Sequence, residues 1–362
     1  MDSADAAPPF PDDVPTAPLL RLSLAKLRAR EPDEVRRFTA ACEALGFFYL
    51  DLGGDAVLQQ ADALFDAGRA LFDLPLAEKA RYDFSRLGTY MGYKAVGASV
   101  ADAAGNLDRN EFYNIGKDDV FELGRRWPAP EVLESRRALL RSFMQSAHGI
   151  VTLVLALLDT HLGLAPGTLG AMHRLLEGRG GDQVRFIRAP ARGADDARAV
   201  ALGEHTDFGS VTVLFNRLGG LQVLMPPGAG AGAGAGAGTE PEWRYVRPLP
   251  GHAVVNLGDA LVKFSNGLLR SNIHRVVEPP GAQAACARYS LVYFSRPEDH
   301  VVLRRLEGRR VPPLPEGVVE EAVTSEAWVL RRALGSRPAL QPEGKFDYSL
   351  SRGTEAISQR AR

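Results

Sequence analysis

Cysteine is scarce in this chain: Cys42 and Cys286 are the only two among 362 residues. Two thiols cannot staple a protein of this length, so a disulfide scaffold is excluded and the fold has to rest on a hydrophobic core. Net charge is missing as well. Lys and Arg number 43 against 44 Asp and Glu, which leaves no field to gather nucleic acid or an anionic membrane surface. No stretch approaches the roughly 18 consecutive apolar residues of a membrane span. The opening MDSADAAPPFPDDVPTAP has neither the basic nor the apolar segment of a secretion signal. These absences predict a cytoplasmic, monomeric protein with reduced thiols, acting on a small molecule and without nucleic-acid or membrane partners.

What is present changes character along the chain. Residues 1–17 are acidic and proline-rich and read as disordered. Residues 18–180 are α-rich. PDEVRRFTAACEAL (32–45) sets Val35, Phe38, Ala41, Cys42 and Leu45 at helical spacing, with Asp33 and Glu34 in the first turn where the helix dipole favours them. The GFFYLDL that follows reads as a strand, and residues 55–75 and 131–163 return to helical periodicity, the second long enough to support a sheet. Residues 181–305 are instead short β-branched and aromatic runs bounded by Gly, Pro and Asp: QVRFIRA, SVTVLF, GLQVLM, WRYVRPL, HAVVNLG, LVKFSN, NIHRVVE, RYSLVYFS and VVLRRL. Their rhythm is that of a sandwich or barrel, which predicts a mainly β fold flanked by helices. Residues 306–362 form a C-terminal helical region and tail. The run GAGAGAGAGAG, 228–238, is either a linker or an expanded hairpin loop. Because strands resume directly after it, a loop inserted in the core is the preferred reading.

Chemistry is concentrated in a few positions. In GEHTDFGSVTVLF, His205 and Asp207 lie two apart, so in extended backbone both side chains point to one face. A third ligand is available in SNIHRVVE as His274. Two imidazoles and one carboxylate are the facial arrangement of non-haem Fe(II) oxygenases, with positions left open for reactants. Further on, RYSLVYF places Arg288 and Ser290 on one strand face, a guanidinium fork beside a hydroxyl that suits a carboxylate. His148, His161, His173, His252 and His300 lie in helices or turns and read as core or surface residues.

Taken in order, ACEALGFFYL, LFDLPLAEKARY, HTDFGSVTVLF, GGLQV, VVNLGDALVKFSNG, SNIHRVV and RYSLVYF resemble the isopenicillin N synthase-like family of Fe(II)/2-oxoglutarate-dependent dioxygenases over nearly the whole chain. The resemblance implies a double-stranded β-helix (jelly-roll) core. It implies His205, Asp207 and His274 on iron, and Arg288 and Ser290 on the far carboxylate of 2-oxoglutarate. Dioxygen and a small organic substrate would complete the reaction, a hydroxylation, desaturation or cyclisation, as in secondary metabolism, with succinate and carbon dioxide released.

One segment departs from the family pattern. In QVRFIRAPAR the tyrosine usual before the proline is replaced by Ala189, and Arg188 resembles the arginine of isopenicillin N synthase itself, which uses no 2-oxoglutarate. An iron oxidase of that type is therefore the alternative reading, and a non-catalytic jelly-roll binding protein the third. In relatives the segment matching GTYMGYKAVGASVADAAGNLDRNEFYNIG borders the substrate pocket, which makes Tyr93, Lys94 and Asn114 candidates for substrate contact beside Arg188. Strand alternation adds Phe294, four positions beyond Ser290.

Overall fold

The computed structural model describes residues 7–191, 200–226, 241–340 and 353–354. Its strands are β1 (Arg21–Ser23), β2 (Phe47–Asp51), β3 (Gly92–Lys94), β4 (Glu111–Gly116), β5 (Gln183–Ala189) and β6 (Val200–His205) in the first half. In the second half follow β7 (Val211–Asn216), β8 (Leu221–Met225), β9 (Glu242–Tyr245), β10 (His252–Leu257), β11 (His274–Val277) and β12 (Arg288–Ser295). Eight of them make one sheet in the order β1-β2-β10-β7-β12-β5-β4-β3, and β6-β11-β8-β9 make a second.

Side-chain alternation decides what each face of the larger sheet meets. Val211, Val213 and Phe215 on β7, Val255 and Leu257 on β10, and Leu291 and Tyr293 on β12 turn outward into the main core. Their neighbours Leu214 and Val254 turn the other way, toward Leu221, Val223 and Met225 of the smaller sheet, and Phe47 and Tyr49 join them. Two apolar layers, one on each face of a sheet, give the expected jelly roll with helices outside it.

The helices Ala56–Asp73 and Arg137–Leu162 cover the outer face. In the longer one Leu140, Phe143, Met144, Ala147, Ile150, Val151, Val154 and Leu158 are buried at helical spacing. Burying each of the larger ones contributes roughly 1.5–3 kcal/mol of transfer free energy. The helix stops at Gly163, whose φ of 69° is the left-handed cap that glycine adopts without strain. Among the described residues this is the one helix long and apolar enough to cross a membrane by length and composition. Its apolar stripe is instead packed on the sheet, with Phe143 against Phe215 at 5.8 Å between ring centres.

Several expectations need correction. The disorder expected for 1–17 does not hold for 7–17. Phe10 meets Tyr245 edge-on at 6.3 Å, the Gln283 amide donates to the Pro8 carbonyl at 2.8 Å, and the Ala17 N–H donates to the Tyr245 carbonyl at 2.8 Å. Prolines that already favour extended backbone, plus one aromatic anchor, are enough to dock the segment. The α-rich region 18–180 also supplies β1 to β4 to the larger sheet. LVKFSN is not a strand: Asp259–Phe264 is a helix with Asp259, Ala260, Leu261, Val262 and Phe264 all buried. A short apolar run reads the same whether strand or buried helix. VVLRRL forms no ladder beyond a single bridge from Val302 to Thr324. The Gly-Ala run 228–238 lies outside the described residues. The strands flanking it, β8 and β9, are antiparallel neighbours.

Candidate active site

The site is built where β6 ends beside the start of β11. His205 and His274 are register partners across these two strands, which brings their rings to 4.2 Å between centres. Asp207 follows β6 by two residues and is pinned through its backbone, its carbonyl accepting from the Asp259 N–H at 2.8 Å. His205 Nε2 is then 3.8 Å and His274 Nε2 3.9 Å from Asp207 Oδ1, and one ligand atom of each residue lies within 4.8 Å of the others. Together they form a group able to hold a metal ion, and among the described residues the other histidines take no part in it.

Every second atom of the three side chains is occupied. His205 Nδ1 faces the Gly203 carbonyl at 2.8 Å and His274 Nδ1 the Asn272 carbonyl at 3.1 Å, which fixes the proton on Nδ1 and leaves Nε2 with a free lone pair. Asp207 Oδ2 accepts from Thr212 Oγ1 and Asn256 Nδ2, both at 2.6 Å, which leaves Oδ1 as the donor. Burial, with His274 beside it, pushes the His205 imidazole down to about 3, so it stays neutral. For Asp207 burial acts upward, but His274, His205 and the two hydrogen bonds outweigh it and hold the carboxyl below its ordinary range. Two imidazoles and one carboxylate fit a divalent metal with open positions.

Across the same cavity, on the inward face of β12, stands Arg288. It is 2% exposed, donates from Nε to the Gly219 carbonyl at 2.7 Å and from Nη1 to Ser290 Oγ at 2.5 Å. Among the described residues no carboxylate pairs with it, and burial lowers its pKa to about 10. A buried guanidinium without a counter-ion is costly, so the site is made for an anion. Gly220 lets it in: its φ is +104°, and a Cβ there would press on the Val277 carbonyl at 2.7 Å and Arg288 at 3.3 Å.

The substrate candidates divide by strand face. Residues opposite one another across β3, β4, β5 and β12 share a face, so Lys94, Phe112, Ile187 and Ser290 point inward as one set and Gly92, Asn114, Arg185 and Val292 as the next. Phe294 also lines the cavity. Asn114 reaches no cavity wall itself; its Oδ1 accepts from Arg185 Nε at 2.7 Å. Lys94 is fully buried and held by Asp108 and the Asn110 carbonyl. Tyr93 and Arg188 point the opposite way. Tyr93 donates to Glu111 at 2.6 Å, and Arg188 pairs with Glu111 at 2.6 Å, in a cluster with Lys79 beneath the helices. Neither faces the metal group, and the resemblance of Arg188 to a substrate-binding arginine is not supported. The residue that does face it, Arg185, was not singled out in the sequence. Nor were Thr212 and Asn256, although Asn256 stands within the VVNLG motif.

Known proteins share both the sequence pattern and the fold that carry this geometry. Residues 17–130 match the family described as non-haem dioxygenase in morphine synthesis N-terminal, and residues 182–297 match the 2OG-Fe(II) oxygenase superfamily. A 2-oxoglutarate-dependent dioxygenase of Aspergillus fumigatus is 34% identical over 346 residues, covering 91% of this chain and 89% of that protein. The 2-oxoglutarate-dependent dioxygenase frbH of a Dothideomycetidae species is 33% identical over 302 residues, 82% of this chain and 88% of its own. In fold, the chain is similar to a full-length Neurospora crassa protein crystallised in complex with alpha-KG, with a TM-score of 0.71 at 24% identity over 87% of this chain and 95% of that one. With the converging His, Asp and His all inside the segment that matches the oxygenase model, and a relative 34% identical over 91% of this chain, the chain belongs to the 2OG-Fe(II) oxygenase superfamily and is an Fe(II)- and 2-oxoglutarate-dependent dioxygenase.

Proposed function

We propose that His205 Nε2, Asp207 Oδ1 and His274 Nε2 hold the iron, and that Arg288 with Ser290 grips the far carboxylate of 2-oxoglutarate while a small organic molecule is oxidised. The observation that carries this reading is the convergence of three donor atoms, each side chain fixed from behind, opposite a buried guanidinium that pairs with no carboxylate among the described residues. Bound iron, with dioxygen and 2-oxoglutarate, supplies the oxidation of a C–H bond coupled to release of succinate and carbon dioxide. The chain's own part is placement. The Arg288 fork and the Ser290 hydroxyl fix one end of the cosubstrate by charge-assisted hydrogen bonds, which turns a flexible diacid into one oriented reactant. Leu214, Leu221, Val276 and Val292 line the cavity and keep water from the reacting centre.

Action as a monomer in the cytoplasm, on a substrate of secondary metabolism and apart from nucleic acid and membranes, belongs to the same proposal. The free thiols of Cys42 and Cys286 suit a reducing compartment. The test is iron content per chain in His205→Ala and His274→Ala, together with 2-oxoglutarate-dependent succinate formation. Loss of both with an unchanged far-UV spectrum is expected, because the core is built from apolar layers and not around the metal. Full iron occupancy in either variant refutes the ligand assignment.

A further inference from the structure

A second cation on the cavity wall has no role in the chemistry above. Arg185 faces inward from β5 opposite Val292 on β12, while Arg288 faces inward opposite Ala189. At ~3.3 Å per residue the two backbones are roughly 13 Å apart along the strand, so the guanidinium groups hold opposite ends of one wall. Arg185 borders two chambers at once, the one around the metal group and an outer one whose apolar lining includes Val100, Ala101, Phe112, Leu202 and Phe208. His205 borders both as well.

The side chain is prepared as a fixed donor. Its Nε is tied to Asn114 Oδ1, and the guanidinium lies over the Phe112 ring at 4.2 Å and the Phe294 ring at 5.0 Å. Those contacts set its plane and leave its two terminal nitrogens without a hydrogen bond among the described residues, where no carboxylate pairs with it either. The acids of the outer chamber do not supply one. Asp108 is committed to Lys94, and Glu204, which also lines the chamber from β6, is not among the charges that act on Arg185. Arg332, across the chamber, is committed to Asp259, while Arg337 stands 3.7 Å from Asp83 with Asp108 also acting on it. Burial and the neighbouring Arg296 push the Arg185 pKa down to about 9, the direction an anion would reverse.

We propose that Arg185 anchors a carboxylate of the organic substrate, and that the substrate is a small acid with an apolar body seated in the outer chamber. This inference rests on the proposed function, which gives the far carboxylate of 2-oxoglutarate to Arg288 and Ser290 and leaves Arg185 without a part in holding the cosubstrate. Anchoring the acid end beside His205 would present a C–H close to that carboxylate for oxidation, with the apolar body directed away from the iron.

The experiment uses the full chain loaded anaerobically with Fe(II) and 2-oxoglutarate. Phenylacetate, hydrocinnamate and octanoate are titrated calorimetrically beside their neutral primary amides. At least one acid is expected to bind roughly tenfold or more tightly than its amide, the scale of a hydrogen bond to a charged group. Arg185→Gln should erase that preference, Arg185→Lys should retain part of it, and 2-oxoglutarate affinity should stay within about twofold in both, in line with Arg185 lying apart from the cosubstrate's anchors. Equal binding of every acid and amide by the wild type overturns the inference. So does an Arg185→Gln protein that loses 2-oxoglutarate as severely as the acid, because Arg185 would then serve the cosubstrate. If that variant does not fold, the wild-type pairs and Arg185→Lys still decide. A wild type that takes up no 2-oxoglutarate would overturn the proposed function and this inference with it, an outcome separate from the others.

Discussion

Removing either donor to the far oxygen of Asp207 should weaken metal binding without touching a ligand. Thr212 and Asn256 each donate to Oδ2 at 2.6 Å, and both are buried, 5% and 3% exposed. A hydrogen bond to a charged acceptor contributes about 1.5–3 kcal/mol. At ~1.4 kcal/mol per decade, that is roughly a tenfold to hundredfold loss in metal affinity for Thr212→Val or Asn256→Ala, the range typical of groups that orient metal ligands. The two losses should not add, because the second leaves a buried oxygen bare and frees the carboxylate to rotate. The acid limb supplies an independent signature. The Asp207 carboxyl is held below its ordinary range partly by these bonds. A group with a depressed pKa binds the metal above that pKa and loses it as pH falls through it, so removing a bond should move the loss to higher pH. Anaerobic titration with Fe(II) or Mn(II) at several pH values reads both effects, with thermal unfolding as the control. Affinities within about twofold of wild type in both single variants, with the fold intact, would refute the role given to Oδ2.

Other expectations follow from the same structure. Arg288→Lys keeps the charge but loses the fork, so the 2-oxoglutarate dependence of succinate formation should weaken by about 1.5–3 kcal/mol, and Ser290→Ala by less; an unchanged dependence contradicts the proposed anchor. Glu111→Gln removes the carboxylate that pairs Lys79 at 2.9 Å and Arg188 at 2.6 Å, with Arg188 keeping Asp73 at 3.8 Å, and should cost about 3–5 kcal/mol in urea unfolding, chiefly through the buried Lys79; a loss under about 1 kcal/mol would show the cluster to be replaceable. His173 is buried between the Leu169 carbonyl and Ser210 Oγ, each 2.7 Å away, and burial lowers its pKa from 6.5. The unfolded chain takes up a proton that the native ring refuses, so its contribution is complete above about pH 6.5 and is lost as pH falls below it. The acid-side decline in unfolding free energy should be shallower in His173→Gln, and an identical slope would exclude this ring as a source of it.

The parts of the site that were legible in the sequence are those set by short-range geometry. His205 and Asp207 are two apart, as are Arg288 and Ser290, and a strand period of two puts each pair on one face whatever the rest of the chain does. His274 needed only a strand of its own. What could not be read depends on contacts far apart in sequence. β1 and β3 have three residues each and become strands because β2 and β4 lie beside them. LVKFSN has the composition of a strand, yet Asp259–Phe264 is wound into a helix whose first N–H donates to the Asp207 carbonyl. Residues 7–17 have too little apolar surface to fold alone, and dock because Tyr245 and Gln283 are already in position.

The exchange of Arg188 for Arg185 follows the same logic at the level of a single residue. Both arginines lie on β5, three positions apart, and an odd separation on a strand puts them on opposite faces. Which one meets the iron cavity is settled by β12, because residues directly opposite in an antiparallel pair share a face. Arg288 and Ser290 face inward, opposite Ala189 and Ile187, so Arg185 faces inward with them and Arg188 faces out to Glu111. A slip of one residue in that register would reverse the two, turn Phe186 into the metal cavity and expose Arg185 to the apolar helices. The apolar outer positions Val184 and Phe186 forbid the slip, both being fully or nearly fully buried in the main core. Which of the two arginines faces the cavity is therefore decided by hydrophobic packing on the far side of the sheet.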